Sequence, residues 1–430
     1  MSEHRYTESM REKIDVLFRR VRGTQIEQPC EPVKRALILS GGGARAAYQV
    51  GVLKALAQIL PADAPNPFPI ICGTSAGAIN ALSLACHTGN FSEAVSDLEQ
   101  IWQNLTPSQI YRADLWSLIR GGTRLAASLF NEGVGRHQPL ALLDNRPLRQ
   151  LIEDRIQFNQ IDIGIAQGQL EAVSVTAMGY SSGESVSFYQ GSTQIDSWKR
   201  HRRNGCACKL RADHLMASSA IPTIFPTVHI NREYFGDGAL RQLAPISPAL
   251  HLGAERVFVI GVSGNRNPQH WIRRRRTRHS PSMAQIMGHL LASAFIDSLE
   301  GDIERLERIN ELIDLVEPDK RAEQGLPLKK VDSLIISPTK ELDKIAGRKI
   351  RYLPRTLRFF MRAVGATAKG GGATAASYLL FAQPFCQELI DLGYKDTMWE
   401  RDSIERFFSD PCPLPSNEAP KKSELVTSNP

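Results

Sequence analysis

Two glycine-rich turns, Gly41-Gly42-Gly43-Ala44-Arg45 and Gly73-Thr74-Ser75-Ala76-Gly77, each close a short apolar run and open onto a stretch of helix formers. Arg35 to Leu39 and Phe68 to Cys72 are the strand-like runs, while Ala46 to Leu60 and the uncharged Ala76 to Ala85 read as the helices that follow. In a Gly-x-Ser-x-Gly turn the serine stands on a strained strand-to-helix corner, and the flanking glycines let strand and helix approach without Cβ clashes. Ser75 then lies at a helix N-terminus, where backbone N–H groups favour developing negative charge. The pair therefore reads as an oxyanion-binding loop, Gly41 to Arg45, and a nucleophilic serine on an elbow made by Gly73, Thr74, Ala76 and Gly77.

The first loop also satisfies a loose dinucleotide fingerprint, Gly41-x-Gly43-x-x-Ala46. That reading needs an acid at the end of a second strand about twenty residues on, and Asp63 sits instead in the loop Pro61-Ala62-Asp63-Ala64-Pro65. No phosphate-binding Gly-x-x-x-x-Gly-Lys-Ser/Thr run is present. A third element, Gly236-Asp237-Gly238, follows the apolar pair Tyr234-Phe235. Asp-Gly is a common hairpin turn, but a serine hydroxyl needs a base within hydrogen-bond reach, and glycines on both sides leave Asp237 unobstructed.

In this order and spacing, G-G-G-A-R, G-T-S-A-G and G-D-G-A resemble the patatin-like phospholipase family. Leu142 to Leu148, Val173 to Ala177, His214 to Pro222 and Ser377 to Phe381 are similar to segments of bacterial members. The resemblance runs over residues 33 to 265 and more loosely over 331 to 394. It implies a Ser75–Asp237 dyad that needs no histidine, with Gly41, Gly42, Gly43, Ala44 and Arg45 as the oxyanion hole and Gly236 and Gly238 framing the aspartate. It further implies that the Gly42 and Gly43 amides face the oxyanion while Arg45 holds the loop and adds positive potential. With an ordinary pKa near 3.9 the aspartate is a weak base, so positioning and oxyanion stabilisation carry much of the rate. The reaction so implied is acyl-ester hydrolysis of phospholipid or another acyl lipid through an acyl-serine, without metal or organic cofactor.

Three rivals share these residues. A Ser-Asp-His triad needs a histidine after Asp237, for which His251, His270, His279 and His289 are available. Acyl transfer or thioester hydrolysis would use the same acyl-serine, and a catalytically silent lipid-binding protein would have no reason to keep all three elements intact.

The alternation of strand-like runs (Arg35–Leu39, Phe68–Cys72, Leu170–Thr176, Val257–Val262) with helical patterns predicts an α/β fold: a three-layer α/β/α sandwich on a mostly parallel sheet. With 430 residues, 42% hydrophobic and 23% charged, the chain can bury a large core. The expected organisation is an amphipathic helical segment at 1 to 32, a catalytic domain at 33 to 265, a mainly helical extension at 266 to 410 with one strand at 331 to 337, and a disordered tail at 411 to 430. Ala64 to Ser92 carries no Lys, Arg, Asp or Glu, but its prolines, glycines and Asn80 argue for a buried strand, elbow and helix rather than a membrane span. The N-terminus lacks the apolar core of a signal peptide, so a cytoplasmic location is expected.

Seven scattered cysteines give no disulfide framework. His201, Cys206, Cys208 and His214 are zinc-compatible in type, but Cys-x-Cys is tighter than the usual spacing and no metal is expected. Net charge is +7, and two segments concentrate it beside apolar residues. Residues 10 to 22 form a basic amphipathic helix pattern. Residues 344 to 369 interleave Lys344, Arg348, Lys349, Arg351, Arg355, Arg358 and Arg362 with Tyr352, Leu353, Leu357, Phe359, Phe360 and Met361. Two readings compete there: a surface that docks on anionic lipid, with peripheral membrane association, or a helix packed through Leu357, Phe360 and Met361 with its arginines in solvent. No helix-turn-helix, zinc-finger or RNA-binding aromatic signature accompanies the charge, which argues against nucleic acid. The arginine run within Trp271 to Pro281 reads as a solvated loop, Met283 to Val316 as a long helix, and Gly370-Gly371-Gly372 as a hinge before a helix that ends near Leu392.

Overall fold

The computed structural model describes residues 33–128, 140–263, 286, 298–316, 320, 329–363 and 372–409. The helix read at 10 to 22, the arginine run at 271 to 281, the first turns of the 283 to 316 helix, Gly370 and Gly371, and the tail lie outside them.

Among the described residues ten strands form one sheet. They are β1 (Arg35–Leu39), β2 (Ile70–Thr74), β3 (Ala172–Gly179), β4 (Ser185–Gly191), β5 (Lys199–Arg200), β6 (Arg203–Ala207), β7 (Val228–Ile230), β8 (Glu233–Asp237), β9 (Arg256–Ile260) and β10 (Asp332–Ile336). The order is β10-β9-β1-β2-β3-β4-β6-β5, with β8 on β3 and β7 on β8. From β10 to β3 every pairing is parallel; β4 turns back antiparallel on β3. The strands read at 35–39, 68–72, 170–176, 257–262 and 331–337 thus form the parallel half, shifted by two residues at most at their starts.

Both faces of its inner strands β9, β1, β2 and β3 are buried, which is why they read as near-continuous apolar runs, while β10 is a half-buried edge. Alternation divides them: Leu37, Leu39, Ile71, Phe258 and Ile260 enter one core, while Ala36, Ile38, Ile70, Cys72, Val257 and Val259 enter the other. Helices Ala47–Ile59, Ala76–Ala85, Phe91–Gln103 and Gln383–Trp399 cover the first face; Ser247–His251 and Ser298–Asp314 cover the second. The result is a three-layer α/β/α sandwich with a helical C-terminal region. Ala47–Ile59 and Gln383–Trp399 pack backbone to backbone, because a Cβ added at Gly51 or Gly393 would strike the other helix's main chain.

The charge-free stretch resolves into β2, an elbow and helix Ala76–Ala85. Asn80 within it is fully buried, donating to Gln49 Oε1 (2.9 Å) and accepting from Trp102 Nε1 (2.8 Å). Among the described residues no helix is long and apolar enough to cross a membrane. The late helix read up to Leu392 is two helices, Gly372–Leu379 and Gln383–Trp399, broken at Leu380 to Ala382; Pro384 favours a helix start there, where its missing N–H costs nothing.

Candidate active site

Register places the site. β2 runs parallel to β3 and ends with Thr74 opposite Thr176; β8 runs antiparallel along the same strand and ends with Asp237 opposite the next residue, Ala177. Two chain segments far apart in sequence therefore meet head to head at one point of β3. Ser75 follows the first and Asp237 closes the second. Ser75 Oγ donates to Asp237 Oδ2 at 2.6 Å, with both side chains buried.

Ser75 has φ 56° and ψ −129°, a backbone state that costs a non-glycine residue about 1–3 kcal/mol and persists only when its surroundings over-determine it. The surroundings here are specific. Ser75 N–H donates to Ser218 Oγ (2.8 Å), which in turn donates to the carbonyl of Thr176 (2.6 Å). Thr74 Oγ1 donates to Gln242 Oε1 (2.7 Å). Glycine is needed at Gly73, where a Cβ would meet Ala78 Cα at 2.5 Å, and at Gly77, where it would strike the carbonyls of Leu39 and Ser40. The same close approach of Gly77 brings the end of β1, and with it the first glycine loop, beside the elbow.

Asp237 is fully buried, and loss of water pushes its carboxyl up to about 7, against the lowering effects of the hydrogen bonds from Ser75 and the Ala239 amide (3.0 Å to Oδ1). The expectation of a weak base near 3.9 is thereby corrected: a carboxylate with a pKa near neutrality is a competent proton acceptor at neutral pH. Position, not composition, sets this, and the Gly-Asp-Gly motif alone carried no sign of it. The Tyr180 ring packs over Gly236, where a Cβ would meet it at 2.7 Å, and its hydroxyl is held above its usual range by burial and then by the Asp237 charge.

The loop Gly41 to Arg45 leaves β1 and tightens into a 3-10 turn, Gly43–Ala46. Gly43 has φ +55°, and a Cβ on it would collide with the Tyr378 carbonyl. Among the described residues the Gly42 and Gly43 amides donate to no protein acceptor. Gly43 and Ala76 both line the cavity at Ser75. Arg45 turns away from that cavity: its side chain is buried, Nε donates to Ser377 Oγ (2.7 Å), Nη2 pairs with Asp343, and the guanidinium lies 4.3 Å from the Tyr378 ring centre. Its charge is thus compensated by Asp343, and the loop is tied to the helical C-terminal region. Arg45→Ala is expected to cost about 2 kcal/mol or more, since it strips partners from buried groups, and to lower ester turnover per folded molecule. A melting curve read beside turnover checks this; full turnover in a destabilised variant would leave the loop independent of its anchor.

From Ser75 an apolar channel follows one face of helix Ala76–Ala85, past Ile79 to Ser83, walled by Leu98, Trp102, Ile152 and Phe225. Ser83, Leu151 and Arg155 also line a second, wider and more polar cleft of about 450 Å³ that includes His87, Asp97 and Gln157. The apolar channel suits a hydrocarbon chain with its reacting end at Ser75.

Among the described residues no histidine bonds to Ser75 or Asp237. His251 is stacked on Trp198 at 4.8 Å, its pKa lowered by burial and then by Arg200 and Arg203. His270, His279 and His289 lie outside the described residues. Of the zinc-compatible group, Cys208 Sγ and His214 Nε2 come within 3.8 Å, and burial holds the imidazole down at about 4 and the thiol up at about 12. No cluster of three His, Cys, Asp or Glu side chains suited to a metal occurs among the described residues.

Sequence reasoning missed the roles of Ser218, Thr176, Gln242 and Asp343. Ser218, Thr176 and Ser377 lie in the shorter stretches that resemble bacterial family members, which mark their positions but give them no function. Gln242 and Asp343 had no signal, because each acts through a contact distant in sequence.

Residues 37–250 match the family model described as patatin-like phospholipase. The chain is 29% identical over 224 residues to a protein named cGAMP-activated phospholipase from Pseudomonas aeruginosa, covering 51% of this chain and 56% of that one. It is 29% identical over 227 residues to one of the same name from Escherichia coli, covering 49% and 53%. VipD from Legionella pneumophila, known from a crystal structure, overlays at a TM-score of 0.33 and 12% identity, covering 86% of this chain and 67% of that one. The chain spans about half the length of the curated relatives it matches.

Proposed function

We propose that this chain, whose residues 37–250 are a patatin-like phospholipase domain, is a serine lipid acyl hydrolase that cleaves fatty-acyl esters of phospholipid through Ser75 and Asp237. The observation that carries the reading is the 2.6 Å hydrogen bond from a strained, buried serine to a buried carboxylate at the head of an apolar channel. Ser75 Oγ attacks the ester carbonyl as its proton passes to Asp237, and the carbonyl electrons move onto an oxyanion that faces the Gly42 and Gly43 amides. Collapse expels the lysolipid alkoxide, which takes the proton from Asp237, and leaves acyl-Ser75. Water, its proton accepted by Asp237, then adds to the acyl carbon; expulsion of Ser75 Oγ, which regains that proton, frees the fatty acid. The enzyme would work from the cytoplasm on lipid presented at an interface.

Vesicles of mixed phospholipid and acylglycerol test the reading. Wild type should release free fatty acid and lysophospholipid, and folded Ser75→Ala should not. An inert wild type, or equal release by the variant, would reject it.

Chain length offers a second test. Eight residues of helix separate Ser75 from Ser83, roughly 12 Å of rise; at about 1.2 Å per bond of extended chain, about ten carbons reach Ser83. Ser83→Trp should therefore lower turnover of twelve- to sixteen-carbon esters about tenfold or more while sparing four- to eight-carbon ones. Among the described residues Ser83 Oγ bonds only within its own helix turn, to the Ile79 carbonyl at 2.9 Å, so little else is lost. Equal loss at every chain length in an ester series would mean that the acyl chain takes another route.

A further inference from the structure

We propose that helices Leu115–Ser128 and Arg355–Ala363 together form a docking surface for an anionic lipid bilayer, set against the wall of the acyl channel. On the second helix, Leu357 and Met361 are buried and Phe360 is half-buried, so the packing face is accounted for. Phe359 is not part of it: the ring is 75% exposed and stands between Arg355, one turn before it, and Arg362, one turn after. One exposed phenylalanine is ordinary on a soluble surface; Phe359 gains meaning because the adjoining helix exposes Leu115, Trp116 and Ile119 as well.

The first helix repeats the arrangement. Leu118 is buried, and Gly121 packs closely on Ala141 and Leu142. Leu115 (61% exposed), Trp116 (80%) and Ile119 lie outward on one face, with Arg120 and Arg124 beside them. The two helices adjoin, since Thr356 Oγ1 donates to the Ala113 carbonyl at the foot of the first helix. Neither helix contains a carboxylate. Among the described residues Arg120, Arg124, Arg355 and Arg362 form no salt bridge, and Arg358 donates to the Arg351 carbonyl (2.9 Å). Asp114, the acid nearest to the first helix in sequence, is occupied by Ser117. Exposed Trp and Phe beside arginines that form no salt bridge among the described residues are the side-chain chemistry of an interfacial helix, whose rings enter the acyl boundary while guanidinium groups meet anionic headgroups.

The surface is joined to the channel through the backbone. Leu142 and Leu143 N–H donate to the carbonyls of Thr223 and Ile224 (2.8 and 2.9 Å), and the neighbouring Ile221 and Phe225 line the channel. A bilayer seated on Trp116 and Phe359 would therefore lie against a helix that packs, through Gly121, on the segment bonded to this channel-lining stretch. The biological sense of the surface rests on the lipid-hydrolase reading, but the surface itself is read by vesicle binding, and hydrolysis of a soluble ester serves only to match the variants and to separate the two readings.

The experiment is sedimentation of the full chain with vesicles of equimolar phosphatidylglycerol and phosphatidylcholine, against phosphatidylcholine alone. Three proteins are compared: wild type, Arg355→Gln/Arg358→Gln/Arg362→Gln, and Trp116→Ala/Phe359→Ala, each first matched for circular dichroism and for hydrolysis of a water-soluble short-chain ester. Wild type should partition onto anionic vesicles and be released by salt. Loss of three arginines should weaken partitioning by about 100-fold, and loss of the two rings by about tenfold or more. Absent binding by wild type, or binding unchanged in both variants, overturns the proposal. Variants that change the mass of the particle in light scattering but not vesicle binding would overturn it in favour of an interface between copies of the chain. A wild type that binds vesicles yet hydrolyses no ester would leave the surface standing and sink the hydrolase reading instead.

Discussion

Ser75→Ala is expected to lower fatty-acyl ester turnover by about 10⁴-fold or more while leaving the protein folded. The hydroxyl is the only group at the head of the channel that both faces the cavity and bonds to Asp237 among the described residues, so no neighbour replaces it. The backbone at Ser75 also gives a control on the geometry. At φ 56° and ψ −129° alanine keeps the strain, whereas glycine relieves about 1 kcal/mol or more of it. Ser75→Gly should thus be equally inactive but more stable than Ser75→Ala. Initial rates and thermal midpoints of the two variants read this directly; a Ser75→Gly protein no more stable than Ser75→Ala would show that the elbow stores no strain.

Asp237→Asn is expected to cost about 10²- to 10⁴-fold, the usual range for a general base, and to change the pH dependence as well as the rate. The carboxyl must be ionised to accept the Ser75 proton. With its pKa pushed up to about 7, wild-type kcat/KM should rise tenfold per pH unit up to about pH 7 and level off above it. The Asn variant should lose that rise. Stability runs the other way. Between about pH 4 and 7 the folded state holds a proton on Asp237 that the unfolded chain has released, so unfolding free energy falls as pH rises through that window. At the full shift the change is on the order of 4 kcal/mol. In Asp237→Asn the window should flatten by about that amount, which denaturant titrations at pH 4.5 and 7.5 compare. A wild-type rate profile already flat from pH 5 would mean that the aspartate is ionised far below 7.

How much of this was legible in the sequence follows from how local each signal is. Strand-to-helix corners are written in a few consecutive residues: Gly73 and Gly77 mark the elbow because they remove Cβ atoms where Ala78 and Leu39 approach, and apolar runs buried on both faces mark β1, β2 and β9. The meeting of Ser75 with Asp237 is not local, since it depends on β2 and β8 sharing one edge of β3 at consecutive residues; it was reachable only through the family resemblance. The raised pKa of Asp237 depends on burial that the flanking glycines do not reveal. Arg45 carries the same lesson, because its partners Asp343 and Ser377 come from the far end of the chain. In the basic segment at 344 to 369 the two competing sequence readings divide by residue: Leu357 and Met361 pack, while Phe359 stays among the arginines.

The measurement that bears most directly on the central proposal is covalent capture with a long-chain alkyl fluorophosphonate, read by intact mass and by peptide mapping. A Ser75 nucleophile with Asp237 as its base predicts one adduct per chain, on the peptide that carries Ser75, absent in Ser75→Ala and much slower to form in Asp237→Asn. Adduct on another residue, or ester turnover that persists while Ser75 stays unlabelled, would contradict it.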